Sequence, residues 1–174
     1  MTMPTPHTGT GSSAIGVPTT SRATAYLDSP IGGLRVHSDG EHVVAIDFGA
    51  TPSDDDGQDA VLVEATRQLR AYFDGDLEEF DLPLAPRGSA FQQAVWARLR
   101  AIPYGTTSTY GAIARELELG PHGARAVGAA NGSNPIPVVV PCHRVIGADG
   151  TLTGYAGGLD RKQTLLSIEH AALF

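Results

Sequence analysis

The sequence has a single cysteine and no long apolar run. Cys142 cannot form an internal disulfide, and one thiol cannot build a cysteine-rich zinc site. No apolar run approaches the roughly 20 residues that a membrane-spanning helix needs, and the first 21 residues lack the basic start and apolar stretch of a signal peptide. We therefore expect a cytoplasmic protein with no membrane partner. The 174 residues, 41% of them hydrophobic, suffice for one compact core or two small packed ones.

Charged residues are also scarce, and the two signs are unevenly distributed. The formal net charge of −7 argues by itself against a polyanionic partner such as DNA. Residues 1–86 carry four basic and fourteen acidic side chains, whereas residues 87–174 carry eight basic and five acidic ones, a balance of +3. Any nucleic-acid contact is therefore expected in the second half, although a balance of +3 is also ordinary surface chemistry.

The spacing of apolar and turn-forming residues divides the chain into three regions. Residues 1–21, mostly Thr, Pro, Gly and Ser without acidic or basic side chains, are expected to form a disordered tail. Residues 22–86 combine short β-leaning stretches with one amphipathic helix, which predicts a small antiparallel sheet plus a helix. Residues 87–174 contain short helices, two of them joined by a Gly-containing turn as in a helix-turn-helix. We predict an α/β (α+β) protein of two subdomains, the second all-α.

Two helix starts in the second half show capping-box patterns, in which two side chains satisfy each other's free backbone amides. Ser89 with Gln92 predicts one such start, and Asp160 with Gln163 predicts another. The second of these helices carries Glu169 near its end, where the pattern alone indicates an ordinary helix carboxylate.

The lone thiol follows an apolar run, IPVVVP at residues 136–141, which predicts that Cys142 is buried. Burial raises the pKa of a thiol, so Cys142 stays protonated unless a base or a cation favours the thiolate. His143 and Arg144 could supply those influences. The thiol could equally pack as a small hydrophobe beside an exposed histidine. One Cys and one His provide two of the four ligands of a structural zinc, so we predict no metal site.

Five segments of the second half share one order and spacing with a known family: ARAVG at 124–128, NPIP at 134–137, PCHRV at 141–145, GYAGGL at 154–159 and LLSIE at 165–169. Together they resemble the O6-alkylguanine-DNA alkyltransferases of the bacterial type, from about residue 91 to 169. Such a chain of motifs is far more specific than any one of them. The resemblance implies a ribonuclease H-like first subdomain and a winged-helix-like second one that carries the active cysteine. Residues 22–86 fit the family more loosely.

The resemblance implies a DNA-repair enzyme that acts once per molecule. Such a protein flips the damaged base out of duplex DNA and transfers the alkyl group irreversibly from guanine O6 to its own cysteine, with thymine O4 as a second candidate target. It implies double-stranded DNA with O6-alkylguanine lesions as the partner. It implies no cofactor and no obligate protein partner, and we expect a monomer.

The resemblance also assigns catalytic roles. Cys142 is the nucleophile, His143 its base through a bridging water, and Glu169 orients that histidine. We expect Cys142 and His143 on an extended strand, where adjacent side chains point apart, which favours the water over direct contact. Tyr110 presses on the flanking phosphate and donates a hydrogen bond to the guanine ring, and Asn134 braces the turn before the active cysteine.

The remaining assignments concern the DNA and the extruded base. Arg125 fills the vacated place in the base stack from the recognition helix, through the minor groove. The DNA-binding residues are Tyr110, Ala124, Arg125, Ala126 and Gly128. The base pocket is assigned to Pro137, Val145, Tyr155 and Ala156.

Three other functions are alternatives. A lesion-binding relative that signals without alkyl transfer replaces the nucleophile, so Cys142 argues against it. A helix-turn-helix transcription regulator needs several polar side chains that contact base edges, and residues 124–130 offer mainly Arg125. A cysteine hydrolase would regenerate its thiol at each turnover, whereas an alkyl acceptor consumes it.

Overall fold

The structure, a computed structural model, describes residues 23–169, so the predicted tail at 1–21 lies outside the described residues. The elements in chain order are β1 (Ala23–Leu27), β2 (Leu34–Ser38), β3 (Val43–Phe48), α1 (Ala60–Phe73), α2 (Ala90–Arg100), β4 (Ser108–Thr109), α3 (Tyr110–Glu116), α4 (Gly123–Gly132), a 3-10 turn (Cys142–Arg144), β5 (Val145–Ile146) and α5 (Leu159–Ile168). The predicted mixed α and β fold is confirmed.

The N-terminal half, residues 23–86, is an antiparallel sheet of order β1-β2-β3 with α1 packed against it. The Asp59 side chain caps α1 by accepting a hydrogen bond from the Leu62 amide at 2.8 Å. Leu62, Leu69 and Tyr72 repeat at helical spacing on the buried face of α1. The sequence predicted both this helix and its end at Asp74, and the structure confirms them.

The C-terminal half, residues 87–169, is mainly helical. The predicted capping box of α2 is confirmed, because Ser89 and Gln92 each accept a hydrogen bond from the other's backbone amide. The predicted box at the start of α5 is wrong. That helix begins at Leu159 after Gly158, which has φ +92° and no side chain to cap with, so Asp160 already lies inside the first turn.

A two-stranded parallel sheet joins the helices of the C-terminal half, where the sequence predicted helices alone. Ser108 of β4 pairs with Val145 of β5, and Thr109 pairs with Ile146. Val145 and Ile146 are buried, so their backbone groups need partners inside the protein, and β4 supplies them. The pairing connects the start of α3 directly to the residues that follow the cysteine.

The two halves are packed on each other by hydrogen bonds as well as by apolar contacts. The amide of Ile46 on β3 donates to the carbonyl of Pro135 at 2.9 Å. Arg161 on α5 donates from Nε to the carbonyl of Ile31 at 2.8 Å. Within residues 23–169, no helix combines the length and the apolar character needed to cross a bilayer.

Candidate functional site

Cys142 is the first residue of the 3-10 turn and is only 4% exposed. The predicted burial is confirmed, but the predicted extended strand is wrong. Pro137 and Pro141 have no backbone N–H, so this apolar run cannot form a regular sheet ladder. The chain turns twice instead, with the Val140 amide donating to Ile136 and the Arg144 amide donating to Pro141.

Asn134 spans the first of these turns with both ends of its amide. Its Oδ1 accepts from the Ile136 amide at 3.0 Å, and its Nδ2 donates to the Val140 carbonyl at 2.8 Å. Between them lies Val138, a β-branched residue at φ +73°, a conformation that costs free energy and persists only where the surroundings enforce it. The Asn134 side chain and the backbone hydrogen bond from Val140 to Ile136 therefore both span the strained turn that precedes Cys142.

The surroundings of the Cys142 thiol influence its pKa in opposite directions. Burial raises the pKa, and this outweighs the side chains of Asn134 and Tyr155 and the charge of Lys162, which lower it. Lys162 is fully buried, and its Nζ donates to the carbonyls of Val145 at 2.6 Å and Thr153 at 3.0 Å. Its proximity to the thiol was not predicted, because a lysine in the first turn of a helix is usually exposed.

His143 is fully buried, and its Nε2 lies 2.7 Å from Oε1 of Glu169. Burial lowers the pKa of His143 and outweighs the neighbouring carboxylate, which raises it. The neutral ring is therefore favoured. Burial works against the charge of Glu169, but hydrogen bonds from His143 and Arg144 outweigh it and lower the pKa of Glu169 to about 2. An ionised carboxylate only accepts hydrogen bonds, so Nε2 of His143 carries the proton and Nδ1 keeps its lone pair. That Nδ1 is buried and has no hydrogen-bond partner within residues 23–169.

Arg144 holds Glu169 from the other side. Its Nε donates to Oε2 at 2.9 Å, its Nη2 donates to Oε1 at 2.8 Å, and its Nη1 donates to the carbonyl of Ile102 at 2.6 Å. The guanidinium also lies over the ring of Tyr104, 5.7 Å from its centroid. Sequence reasoning considered Arg144 as a cation for the thiol, but the structure shows it paired with Glu169.

The predicted recognition helix α4 presents three consecutive residues near its start to solvent. Ala124, Arg125 and Ala126 are exposed, while Val127 beneath them is buried. Gly128 faces the ring of Tyr110, and a Cβ at that position would lie 3.8 Å from it. Tyr110 begins α3, and its hydroxyl donates to the carbonyl of Thr153 at 3.1 Å, so it connects the helix pair with the loop after the cysteine.

The predicted pocket residues occupy different environments. Pro137 and Val145 are buried, Ala156 is exposed on the loop before α5, and Tyr155 is half-buried. Burial and the adjacent thiol of Cys142 raise the pKa of the Tyr155 hydroxyl. Tyr155 is therefore the member of this set whose functional group lies beside the sulfur.

The loop that carries Tyr155 is supported by the N-terminal half. The ring of Phe48 on β3 meets the ring of Tyr155 edge-on, with centroids 6.0 Å apart. Arg161 lies over Phe48 at 5.2 Å and donates to the carbonyl of Gly157 at 2.8 Å. Contacts from both halves therefore define the surroundings of the thiol.

Comparisons with known proteins match both halves of the chain. Residues 23–86 match the family model described as "6-O-methylguanine DNA methyltransferase, ribonuclease-like domain", and residues 90–171 match "6-O-methylguanine DNA methyltransferase, DNA binding domain". A methylated-DNA–protein-cysteine methyltransferase of Methanosarcina acetivorans is 48% identical over 151 residues, which cover 83% of this chain and 96% of that one. One of Mycolicibacterium paratuberculosis is 64% identical over 105 residues, covering 60% of this chain and 63% of that one. The crystal structure of Mycobacterium tuberculosis OGT in complex with DNA is 46% identical, with a TM-score of 0.77, and the match covers 85% of this chain and 92% of that one.

Proposed function

Because this chain belongs to the 6-O-methylguanine DNA methyltransferase family, we propose that it repairs O6-methylguanine in DNA by moving the methyl group onto its own Cys142. Three buried groups carry the proposal: Cys142, a neutral His143 with a free Nδ1, and an ionised Glu169. The carboxylate of Glu169 accepts a hydrogen bond from Nε2 of His143. A nucleophile, a base and a group that orients the base are the components of nucleophilic catalysis.

The chemical step is a displacement at the methyl carbon. The sulfur of Cys142 gives up its proton through one water to Nδ1 of His143, and the imidazolium is stabilised by Glu169. The thiolate attacks the methyl carbon, an S–C bond forms, and the C–O6 bond breaks with its electron pair moving into the guanine ring. A hydrogen bond from the Tyr110 hydroxyl to the guanine ring lets guanine leave without a full negative charge. Guanine then takes up one proton from water, and the imidazolium of His143 returns one to water. The product is a thioether, which the site has no means of reversing, so each molecule acts once.

The lesion reaches the thiol only if the base leaves the helix. Cys142 is buried, and unstacking a base costs a few kcal/mol, about what protein contacts in its place can offset. Arg125 is exposed on α4 and long enough to occupy the vacated place in the stack. Its neighbours Ala124 and Ala126 are small, so α4 can approach the DNA closely.

The same geometry supports the remaining parts of the proposal. One copy of the chain supplies the thiol, the base and the carboxylate, so a monomer on double-stranded DNA with O6-alkylguanine lesions is sufficient. The pocket residues Pro137, Val145, Tyr155 and Ala156 would line the extruded base, and Asn134 would keep Cys142 in place. The subdomain boundary between residues 86 and 87 stays a prediction.

The experiment is intact-protein mass spectrometry after mixing the protein with an equal amount of duplex oligonucleotide carrying O6-methylguanine. We expect one added methylene that saturates at one per molecule and maps to the peptide containing Cys142. Cys142→Ala should bind the same duplex without a mass gain, and an unmethylated duplex should leave the wild-type mass unchanged.

The other outcomes point to the alternatives. Binding of the methylated duplex by the wild type with no mass gain would place the chain with lesion-binding proteins that do not transfer alkyl groups. Repeated demethylation by each molecule with an unmodified thiol would indicate a hydrolase. Demethylation by Cys142→Ala would show that Cys142 is not the acceptor.

A further inference from the structure

Glu169 receives a hydrogen bond from the N-terminal half that the proposed reaction does not use. Tyr72 on α1 is fully buried, and its hydroxyl donates to Oε1 of Glu169 at 2.7 Å. The same oxygen accepts from Nε2 of His143 at 2.7 Å and from Nη2 of Arg144 at 2.8 Å. Three donors therefore share one carboxylate oxygen.

We propose that Tyr72 acts through Glu169 and limits the basicity of His143 by competing with it for Oε1 of Glu169. Each donor draws electron density from the oxygen, so an oxygen that already accepts two hydrogen bonds is a weaker acceptor for the third. The inference rests on the proposed function in one respect, because it takes His143 as the base that receives the proton of Cys142.

Holding the carboxylate in place is not the role of Tyr72, because Arg144 already does so. Arg144 donates to both oxygens of Glu169, which fixes the plane and direction of the carboxylate. Tyr72 adds a third donor to an oxygen that is already oriented. What it changes is how strongly that oxygen attracts the proton on His143.

The Tyr72 hydroxyl stays a donor over the working pH range. Burial, followed by the charge of Glu169, raises its pKa, so the phenol does not ionise near neutrality. Its ring is fixed by the rings of Phe73, Phe80 and Tyr104, whose centroids lie 5.3, 5.3 and 6.3 Å away. The hydrogen bond is therefore constant, and the titrating members of the network are His143 and Cys142.

Other ionisable groups also face this network, and Tyr72→Phe replaces none of them. They lie on the segment after α2, on α3, on the cysteine turn, on the loop before α5 and on α5 itself: Tyr104, Tyr110, Arg144, Tyr155, Arg161 and Lys162. Within residues 23–169, the hydrogen bonds to the Glu169 carboxylate come from Tyr72, His143 and Arg144. Of these three, Tyr72 alone is neither charged nor adjacent to Cys142.

The test is the pH dependence of the rate at which iodoacetamide alkylates Cys142, the only cysteine of the chain. Tyr72→Phe keeps the ring and removes the hydroxyl. We expect its rate profile to move to lower pH by about half a pH unit, which gives about three-fold faster alkylation below the midpoint. The reason is that a stronger bond between Glu169 and His143 favours the imidazolium–thiolate pair.

Tyr104→Phe is the matched control. Its ring lies in the same cluster, but its hydroxyl donates to the carbonyl of Ile168 at 3.2 Å and not to Glu169. We expect its profile to coincide with that of the wild type. A Tyr72→Phe profile that coincides with the wild type or moves to higher pH would overturn the proposal, as would an equal shift in Tyr104→Phe.

A second variant tests the route through Glu169. Glu169→Gln should move the profile to higher pH, because the amide cannot stabilise the imidazolium, and adding Tyr72→Phe to it should produce no further shift. If Tyr72→Phe shifts the profile of Glu169→Gln as far as it shifts the profile of the wild type, the proposal is overturned. These profiles need no DNA, so failure of the wild type to accept a methyl group from the duplex would reject the proposed function without affecting this test.

Discussion

Replacing Arg144 by methionine is expected to remove about 3 kcal/mol from the free energy of unfolding at neutral pH, because it leaves a buried carboxylate without its cation. Arg144 makes three side-chain hydrogen bonds in the core, two of them to Glu169. Methionine retains most of the apolar volume of the arginine stem but donates none of these bonds. Glu169 would keep only His143 and Tyr72 as partners.

The size of this effect can be worked from the pKa of Glu169. The folded protein lowers that pKa from 4.5 to about 2. Each pKa unit corresponds to about 1.4 kcal/mol, so the hydrogen bonds from His143 and Arg144 make ionised Glu169 contribute about 3 kcal/mol to the stability of the fold. Loss of one partner from a buried ion pair costs about 3–5 kcal/mol in other proteins, which agrees with this value.

The pH dependence follows from the direction of the shift. Since the folded pKa lies below the unfolded one, the stabilisation is complete above about pH 5 and is lost as the pH falls through the folded pKa near 2. The wild type and Arg144→Met should therefore differ most at neutral pH. The difference should shrink as the pH falls from 4.5 towards 2.

Urea unfolding monitored by the fluorescence of Trp96, the only tryptophan, measures this difference at each pH. Trp96 is buried and its indole donates to the carbonyl of Ala130, so unfolding changes its environment strongly. Arg67→Met is the control, because the pair of Arg67 with Glu64 is exposed and contributes little. A loss below about 1 kcal/mol in Arg144→Met, or a loss of equal size at pH 3 and pH 7, would refute the reasoning.

Two further variants test the thiol and the DNA surface. Lys162→Met should raise the pKa of Cys142 and so slow its alkylation by iodoacetamide at pH 7; an unchanged rate would show that the charge of Lys162 does not act on the sulfur. Arg125→Ala should slow single-turnover methyl transfer from duplex DNA more than it weakens duplex binding measured by fluorescence anisotropy. Equal losses in the two assays would contradict a role for Arg125 in base extrusion.

The regular elements could be predicted because their signals are local. The apolar residues of α1 repeat at the helical period, and the Ser89–Gln92 pair specifies a helix start within four residues. The turn at Cys142 could not be predicted in this way. The β-branched residues before Cys142 favour a strand, whereas the prolines among them cannot donate backbone hydrogen bonds to a neighbouring strand. Whether a strand or a turn forms therefore depends on the rest of the fold.

The residues of the site also differ in how far the sequence predicts them. Family resemblance indicated His143 and Glu169, and the structure brings them into contact across 26 positions of the chain. Tyr72 is 97 positions from Glu169 and belongs to a helix whose periodicity accounts for it fully as a core residue. The contact of its hydroxyl with Glu169 arises from the packing of the two halves, so no pattern within either half predicts it.

The burial of Cys142 has a consequence for exposure to oxidants. A disulfide between two copies would need their Cα atoms within about 4.4–6.8 Å of each other, which a thiol enclosed by its own chain does not allow. Large thiol reagents such as oxidised glutathione face the same barrier, because reaction with them depends on access as well as on thiolate character. With no second cysteine to resolve an oxidised sulfur, enclosure is the chain's means of keeping Cys142 reduced.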